Sequence, residues 1–156
     1  MDIKAIDYEA ILPADFIYVD TASVFSELVD SLQGEIRIAV DTEADSLHHY
    51  FQKVCLIQIT TNRKNWLVDP LAIVNLTPLV ELFSKRKLIF HGCDYDLRML
   101  RSFSGFSPQE PVFDTMLASQ LLGYDHVGLA ALVEKFANVI LSKKGQKSDW
   151  SRRPLT

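Results

Sequence analysis

The sequence predicts an α/β fold, a mixed sheet of about five strands, one of them antiparallel, with helices packed against it. Three observations predict it. The chain has 156 residues, 48% apolar and 23% charged, enough for one domain around one sizeable core. Short apolar runs closed by turn residues alternate with stretches of helical spacing. One pair of strand-like runs is joined only by the polar turn TNRK, while the others are separated by helix-length segments. An early hairpin therefore sits beside strands that helices connect.

FIYVD (16–20) reads as a short strand. Thr21 caps a helix in which Val24, Phe25, Leu28, Val29 and Leu32 keep helical spacing as far as Gly34. EIRIAVD (35–41) is nearly all apolar at its end, as a central strand is. VCLIQITT (54–61) is the next strand, and NWLVD (65–69) follows the turn and stops at Pro70. Leu76 to Phe83 reads as a helix and KLIFH (87–91) as a strand. Asp94 opens a helix with Leu97, Leu100 and Phe103 on one face, ended by Gly105. PVFD (111–114) is a short strand or extended lead-in. Thr115 to Leu122 is a helix closed by Gly123, and Gly128 to Phe136 is another. Residues 142–156 read as an irregular, basic loop.

Composition excludes several classes. The longest apolar runs, such as Val68 to Ile73, fall well short of the roughly 20 residues a membrane helix needs, so no membrane association is expected. The start carries Asp2, Asp7, Glu9 and Asp15, unlike a secretory leader. Cys55 and Cys93 are too few for a disulfide framework or a zinc site, and read as free thiols in a reducing cytoplasm. The net charge of −4 is uneven. Residues 1–45 hold two bases and eleven acids, and residues 46–156 hold fourteen bases and nine acids. This is no broad basic face for duplex nucleic acid. A local patch of Lys143, Lys144, Lys147, Arg152 and Arg153 is a candidate for holding a nucleic acid end.

The chemistry lies in acids at strand ends. Asp41-Thr42-Glu43 follows an apolar strand directly, and a period of two puts Asp41 and Glu43 on one face. Such a pair repels itself, and a hard divalent cation relieves the repulsion. Taken alone, so common a triplet reads first as a polar turn with a helix cap. HGCDYDLRML (91–100) ends another strand, and His91-Gly92 forms a turn. Asp94 fits an N-cap and Asp96 the first helical turn, where the helix dipole favours an anion. If the two strands are neighbours, Asp41, Glu43 and Asp96 converge beyond their carboxyl ends, where open sheets bind ligands. Converging carboxylates suit Mg²⁺ or Mn²⁺. His48 and His49, being adjacent, cannot both face one ion from a regular strand.

These segments, in this order, resemble the ribonuclease D-like branch of the DEDD 3′–5′ exonucleases, over residues 16 to 156. DTE (41–43) is similar to the family's first exonuclease motif, and YFQKVCLIQI (50–59) and WLVDPL (66–71) to the strands that follow. HGCDYDLRML resembles the second motif, with Asp96 at the catalytic position and Asp94 outside it. VFDTMLASQLLG, GLAALVEKF and KSDWSRRPLT are similar to the segments before the third motif.

The resemblance implies a ribonuclease H-like fold in a single exonuclease domain. It implies two-metal hydrolysis of phosphodiester bonds at the 3′ end of RNA or single-stranded DNA, the metals roughly 3.5–4 Å apart. Asp41 would bridge both ions, Glu43 would help hold the water-activating one, and Asp96 would support the second. The Thr42 backbone and the His91 side chain would contact the terminal nucleotide, although His91 serves equally to orient its turn. In the family a Tyr and, four residues later, an Asp follow the D-W-x-x-R-P-L segment. The sequence stops at Thr156, so the expectation is an incomplete domain lacking its last helix, one metal ligand and the general base. Reduced activity and self-association through an uncovered face follow from that expectation. The alternative is a catalytically degenerate nucleic-acid-binding or scaffold module on the same fold.

Overall fold

A computed structural model describes residues 15–46, 49–62, 64–141 and 148–155. Its elements are β1 (Phe16–Val19), α1 (Ala22–Leu32), β2 (Arg37–Ala44), β3 (Val54–Thr60), β4 (Asn65–Val68), α2 (Thr77–Ser84), β5 (Lys87–Phe90), α3 (Asp94–Ser104), β6 (Phe113–Asp114), α4 (Thr115–Leu121) and α5 (Leu129–Ala137). The six strands form one sheet in the order β1-β4-β3-β2-β5-β6. β3 runs antiparallel to both of its neighbours, and the remaining pairings are parallel. The expected mixed α/β sheet is present, with the short β6 adding a sixth strand at one edge.

Local chemistry accounts for the elements. Thr21 caps α1 by accepting the Val24 N–H at 3.4 Å. Phe25, Leu28 and Leu32 then bury one stripe of α1, each contributing roughly 1.5–3 kcal/mol. The central strands β2, β3 and β4 carry Ile38, Val40, Ile57, Ile59, Trp66 and Val68, all buried. Phe83 and Leu79 of α2 join the same core. α3 buries Met99 and Leu100, and ends where Gly105 (φ 71°) turns left-handed and donates its N–H to the Arg101 carbonyl.

One difference from the sequence reading sets up the site. Asp41-Thr42-Glu43 does not follow β2 but lies inside it. The parallel ladder between β2 and β5 ends at Ala39↔Ile89. The antiparallel ladder with β3 continues through Asp41↔Gln58, Thr42↔Ile57 and Glu43↔Leu56. β3 therefore keeps β2 extended after β5 has turned away. The ladder slips between Glu43 and Ala44, since Ala44 pairs with Val54, so Cys55 is the extra residue of a bulge.

Candidate active site

The mouth of the site opens where β2 and β5 part. β2 presents Asp41 and Glu43 there. β5 runs into His91 and a tight turn at Gly92 (φ 75°), from which α3 starts and brings Asp96 back. An added Cβ on Gly92 would meet Met116 Cε at 3.3 Å, so glycine answers both the backbone and the space.

Asp96 is buried. Its Oδ1 accepts the Thr42 backbone N–H at 2.9 Å and the Thr42 hydroxyl at 2.6 Å. That N–H lies on the side of β2 that β5 has left, so Asp96 satisfies a donor the sheet no longer pairs. Asp41 Oδ2 accepts Gln58 Nε2 from the facing position on β3 at 2.9 Å.

Electrostatics bind the three acids into one unit. Desolvation around the carboxyl, then the Asp96 charge, lifts Asp41 from 3.8 to about 6 against the Gln58 hydrogen bond, although the residue as a whole is exposed. Burial, then Asp41 and Asp96, lifts Glu43 from 4.5 to about 7. Burial also raises Asp96, opposed by its bonds from Thr42. Acids that resist ionisation together are stabilised by a cation, and their oxygen-only donor set suits a hard divalent ion. The donors fit such an ion in kind. Their present positions do not yet form a ligand cage, because among the described residues no three His, Cys, Asp or Glu side chains stand close enough to hold one ion.

His91 stands beside this group. His91 comes directly after β5, two residues past the Ala39↔Ile89 pair at which the ladder with β2 ends. His91 Nδ1 lies 2.9 Å from Thr115 Oγ1, and that hydroxyl lies 3.0 Å from the Phe90 carbonyl. A hydroxyl has one proton, and a carbonyl can only accept it. The Thr115 proton therefore goes to Phe90, and His91 must donate from Nδ1, leaving Nε2 as the acceptor in the neutral ring.

The comparisons with known proteins agree on this architecture. A family model described as 3′-5′ exonuclease matches residues 16–156. The chain belongs to the 3′–5′ exonuclease family. Exosome complex exonuclease RRP6 of Saccharomyces cerevisiae is 38% identical over 143 residues, covering 90% of this chain and 19% of that protein. A ribonuclease D of Zymomonas mobilis is 37% identical over 142 residues, covering 88% of this chain and 36% of its own length. The crystal structure of Escherichia coli RNase D superposes with a TM-score of 0.83 at 28% identity, covering 91% of this chain and 38% of that one. The chain thus spans well under half the length of these relatives.

Against this exonuclease frame, several sequence expectations change. Asp94 is not the N-cap of α3. Cys93 holds that position without a side-chain cap bond, and Asp94 faces solvent and pairs with Arg98 at 2.8 Å. The capping bonds come from Asp114 instead. Its Oδ1 and Oδ2 accept the Gly92 and Cys93 N–H groups at 2.9 Å each, while Oδ1 also accepts the Met116 and Leu117 N–H groups that start α4. Burial alone would raise the Asp114 carboxyl, but these backbone donors outweigh it and hold it well below the usual range.

Of the candidate basic patch, Arg152 and Arg153 are among the described residues. Lys143, Lys144 and Lys147 lie outside the described residues. Arg152 pairs with Asp149 at 3.2 Å. Arg153 turns inward, its Nε and Nη2 gripping both oxygens of buried Asp69 and its Nη2 also reaching the Cys55 carbonyl at the β3 bulge at 2.7 Å. Tyr18 donates to the same Asp69 at 2.7 Å. Asp149 accepts from Ser151 and Arg152 within its own turn. Both cysteines are free, Cys55 buried and Cys93 partly so. No helix among the described residues is long and apolar enough to cross a membrane.

Proposed function

We propose that this chain forms the catalytic domain of a 3′–5′ exonuclease of the ribonuclease D kind. It hydrolyses phosphodiester bonds from the 3′ end of single-stranded RNA or DNA with Mg²⁺ or Mn²⁺. The observation that supports the reading is geometric: at the mouth between β2 and β5, Asp41 and Glu43 flank Thr42 on β2, and Thr42 bonds Asp96 of α3 through its N–H and its hydroxyl.

Asp41, Glu43 and Asp96 would hold the divalent ions, which would supply charge neutralisation at the phosphate and a more acidic water. The chain's own groups prepare for this. Thr42 fixes Asp96 through two bonds to Oδ1, leaving its second oxygen uncommitted to Thr42. Glu43, whose carboxyl burial and its acid neighbours push up to about 7, would lose its proton to solvent where it served as a ligand. His91, oriented by Thr115, accepts a hydrogen bond at Nε2 from a hydroxyl of the terminal ribose. The Thr42 backbone borders the same nucleotide.

The test is a 5′-labelled single-stranded RNA incubated with Mn²⁺. Products shortened one nucleotide at a time from the 3′ end support the reading, with circular strands untouched. Asp41→Asn, Glu43→Gln and Asp96→Asn should each lower the rate by roughly 10²-fold or more, the equivalent of several kcal/mol of lost charge stabilisation. Binding without cleavage favours the second reading, a degenerate nucleic-acid-binding module. One observation favours that module, namely that Gln58 and Thr42 already occupy oxygens of Asp41 and Asp96. We also expect self-association through the exposed apolar side chains Leu117, Leu121, Leu122 and Phe136, readable by light scattering. The free cysteines fit action in the cytoplasm.

A further inference from the structure

Tyr50 and Phe51 are the most conspicuous unexplained side chains in the molecule. They are 93% and 85% exposed, yet their rings pack edge to face with centroids 5.0 Å apart. Both rings could gain by burial in the core, so their display to solvent asks for an occupant.

Their segment is held firmly at its base. Asp45, wholly buried, accepts the Lys53 N–H on Oδ1 at 2.8 Å, and its own N–H donates to the Lys53 carbonyl at 3.3 Å. The His49 N–H donates to the Asp45 carbonyl at 2.9 Å, and His49 Nδ1 stands 3.0 Å from Asp45 Oδ2. Next to the rings, the Gln52 side-chain oxygen accepts the Tyr95 hydroxyl at 3.2 Å. The aromatic pair is therefore tied on one side to the strand that carries Glu43 and on the other to the residue before Asp96. It lies in the connection between β2 and β3, beyond Glu43 along β2 and beside the start of α3. Half-exposed Lys53, 4.0 Å from Asp45, flanks it, and Arg98, paired with Asp94, lies 5.9 Å from the Tyr95 ring centre.

Aromatic faces with cations beside them are the surface that single strands use, because every base can stack and every phosphate is anionic. A two-residue knob is far smaller than the roughly 1,200–2,000 Å² that a stable protein interface buries. We propose that Tyr50 and Phe51 form a stacking platform for the nucleobases of a single strand, just upstream of the 3′ nucleotide held at the acids. This inference rests on the exonuclease reading of the acid mouth.

The test is fluorescence anisotropy with a fluorescein-labelled uridine octamer in Ca²⁺, comparing the parent chain with Tyr50→Ala/Phe51→Ala. Both side chains are exposed, so the double variant should fold as the parent does. The expected result is a loss of octamer affinity of roughly 5–150-fold for each stacked base. The difference should vanish on an octamer that is abasic at every position but the 3′ end, and Phe51→Trp should retain binding. An unchanged affinity for the full octamer, or an equal loss on the abasic one, overturns the platform alone. Failure of the parent to bind the octamer at all overturns it together with the exonuclease reading.

Discussion

Thr42 gives both its backbone N–H and its hydroxyl to one oxygen of Asp96, at 2.9 and 2.6 Å. The two residues are 54 positions apart, and both are buried. The pair fastens the end of β2 to the first turn of α3. Thr42→Val keeps the backbone bond and deletes the hydroxyl bond to a charged acceptor, worth about 1.5–3 kcal/mol. Urea denaturation should show that loss for Thr42→Val and a much smaller one for Thr42→Ser. Equal midpoints for parent and valine variant would refute it.

The acid cluster makes stability and ion binding depend on pH in opposite ways. The folded-state acidities of Asp41 and Glu43, about 6 and 7, lie above the ordinary 3.8 and 4.5. The folded chain thus holds more protons than the unfolded one between about pH 4 and 7, and its stability without metal falls as pH rises through that window. Above pH 7 the repulsion is fully present. Glu43→Gln should then raise the melting temperature at pH 8 by roughly 2–4 °C, the response of a chain this size to about 1 kcal/mol. Mn²⁺ affinity, read by calorimetry, should weaken from pH 8 to pH 6 in the parent as protons compete for the same oxygens. A flat profile would contradict the coupling.

Thr115 sets the His91 tautomer. Nitrogen-15 spectra of the neutral ring should show the proton on Nδ1 and a bare Nε2. Thr115→Val removes the acceptor and should shift the population toward the Nε2–H form, with nuclease activity falling alongside. Thr115→Ser should restore both. A parent spectrum already dominated by Nε2–H would overturn the assignment whatever the activity shows.

Arg153 and Asp69 form a two-pronged ion pair that joins residues 84 positions apart. Burial would raise the Asp69 carboxyl, but its bonds from Arg153 and Tyr18 hold it below 3.8. Its contribution is present above that ordinary value and is lost only in more acid solution. Arg153→Met strands a buried carboxylate and should cost about 3 kcal/mol. Asp69→Asn in the same chain should recover part of that loss. Strictly additive single and double variants would show that the pair is not coupled.

How much of this was legible depends on whether the signal was local. Asp41 and Glu43 could be read because a strand's period of two is written in adjacent residues. Asp96 could be read because it opens a helix after a strand. The continuation of β2 through Asp41–Glu43 could not, since it depends on β3 outlasting β5 beside it. Asp94 misled because an acid before a helix usually caps it, whereas Asp114 supplies those bonds from another element. Arg153 looked like part of a basic surface, and only the distant Asp69 and the bulge at Cys55 reveal an internal role. Tyr50 and Phe51 fell in the run 50–59 that resembles a strand, whereas β3 starts only at Val54 and leaves both exposed, because exposure is decided by the fold around them.

Asp114 joins two helix beginnings at one carboxylate, receiving N–H groups from the Gly92–Cys93 turn and from the start of α4. The short strand at that edge of the sheet is thereby wired to the turn from which α3 presents Asp96. Remodelling of that peripheral edge, by drift or by design, displaces the turn, and with it the acid mouth, without replacing any of the three acids.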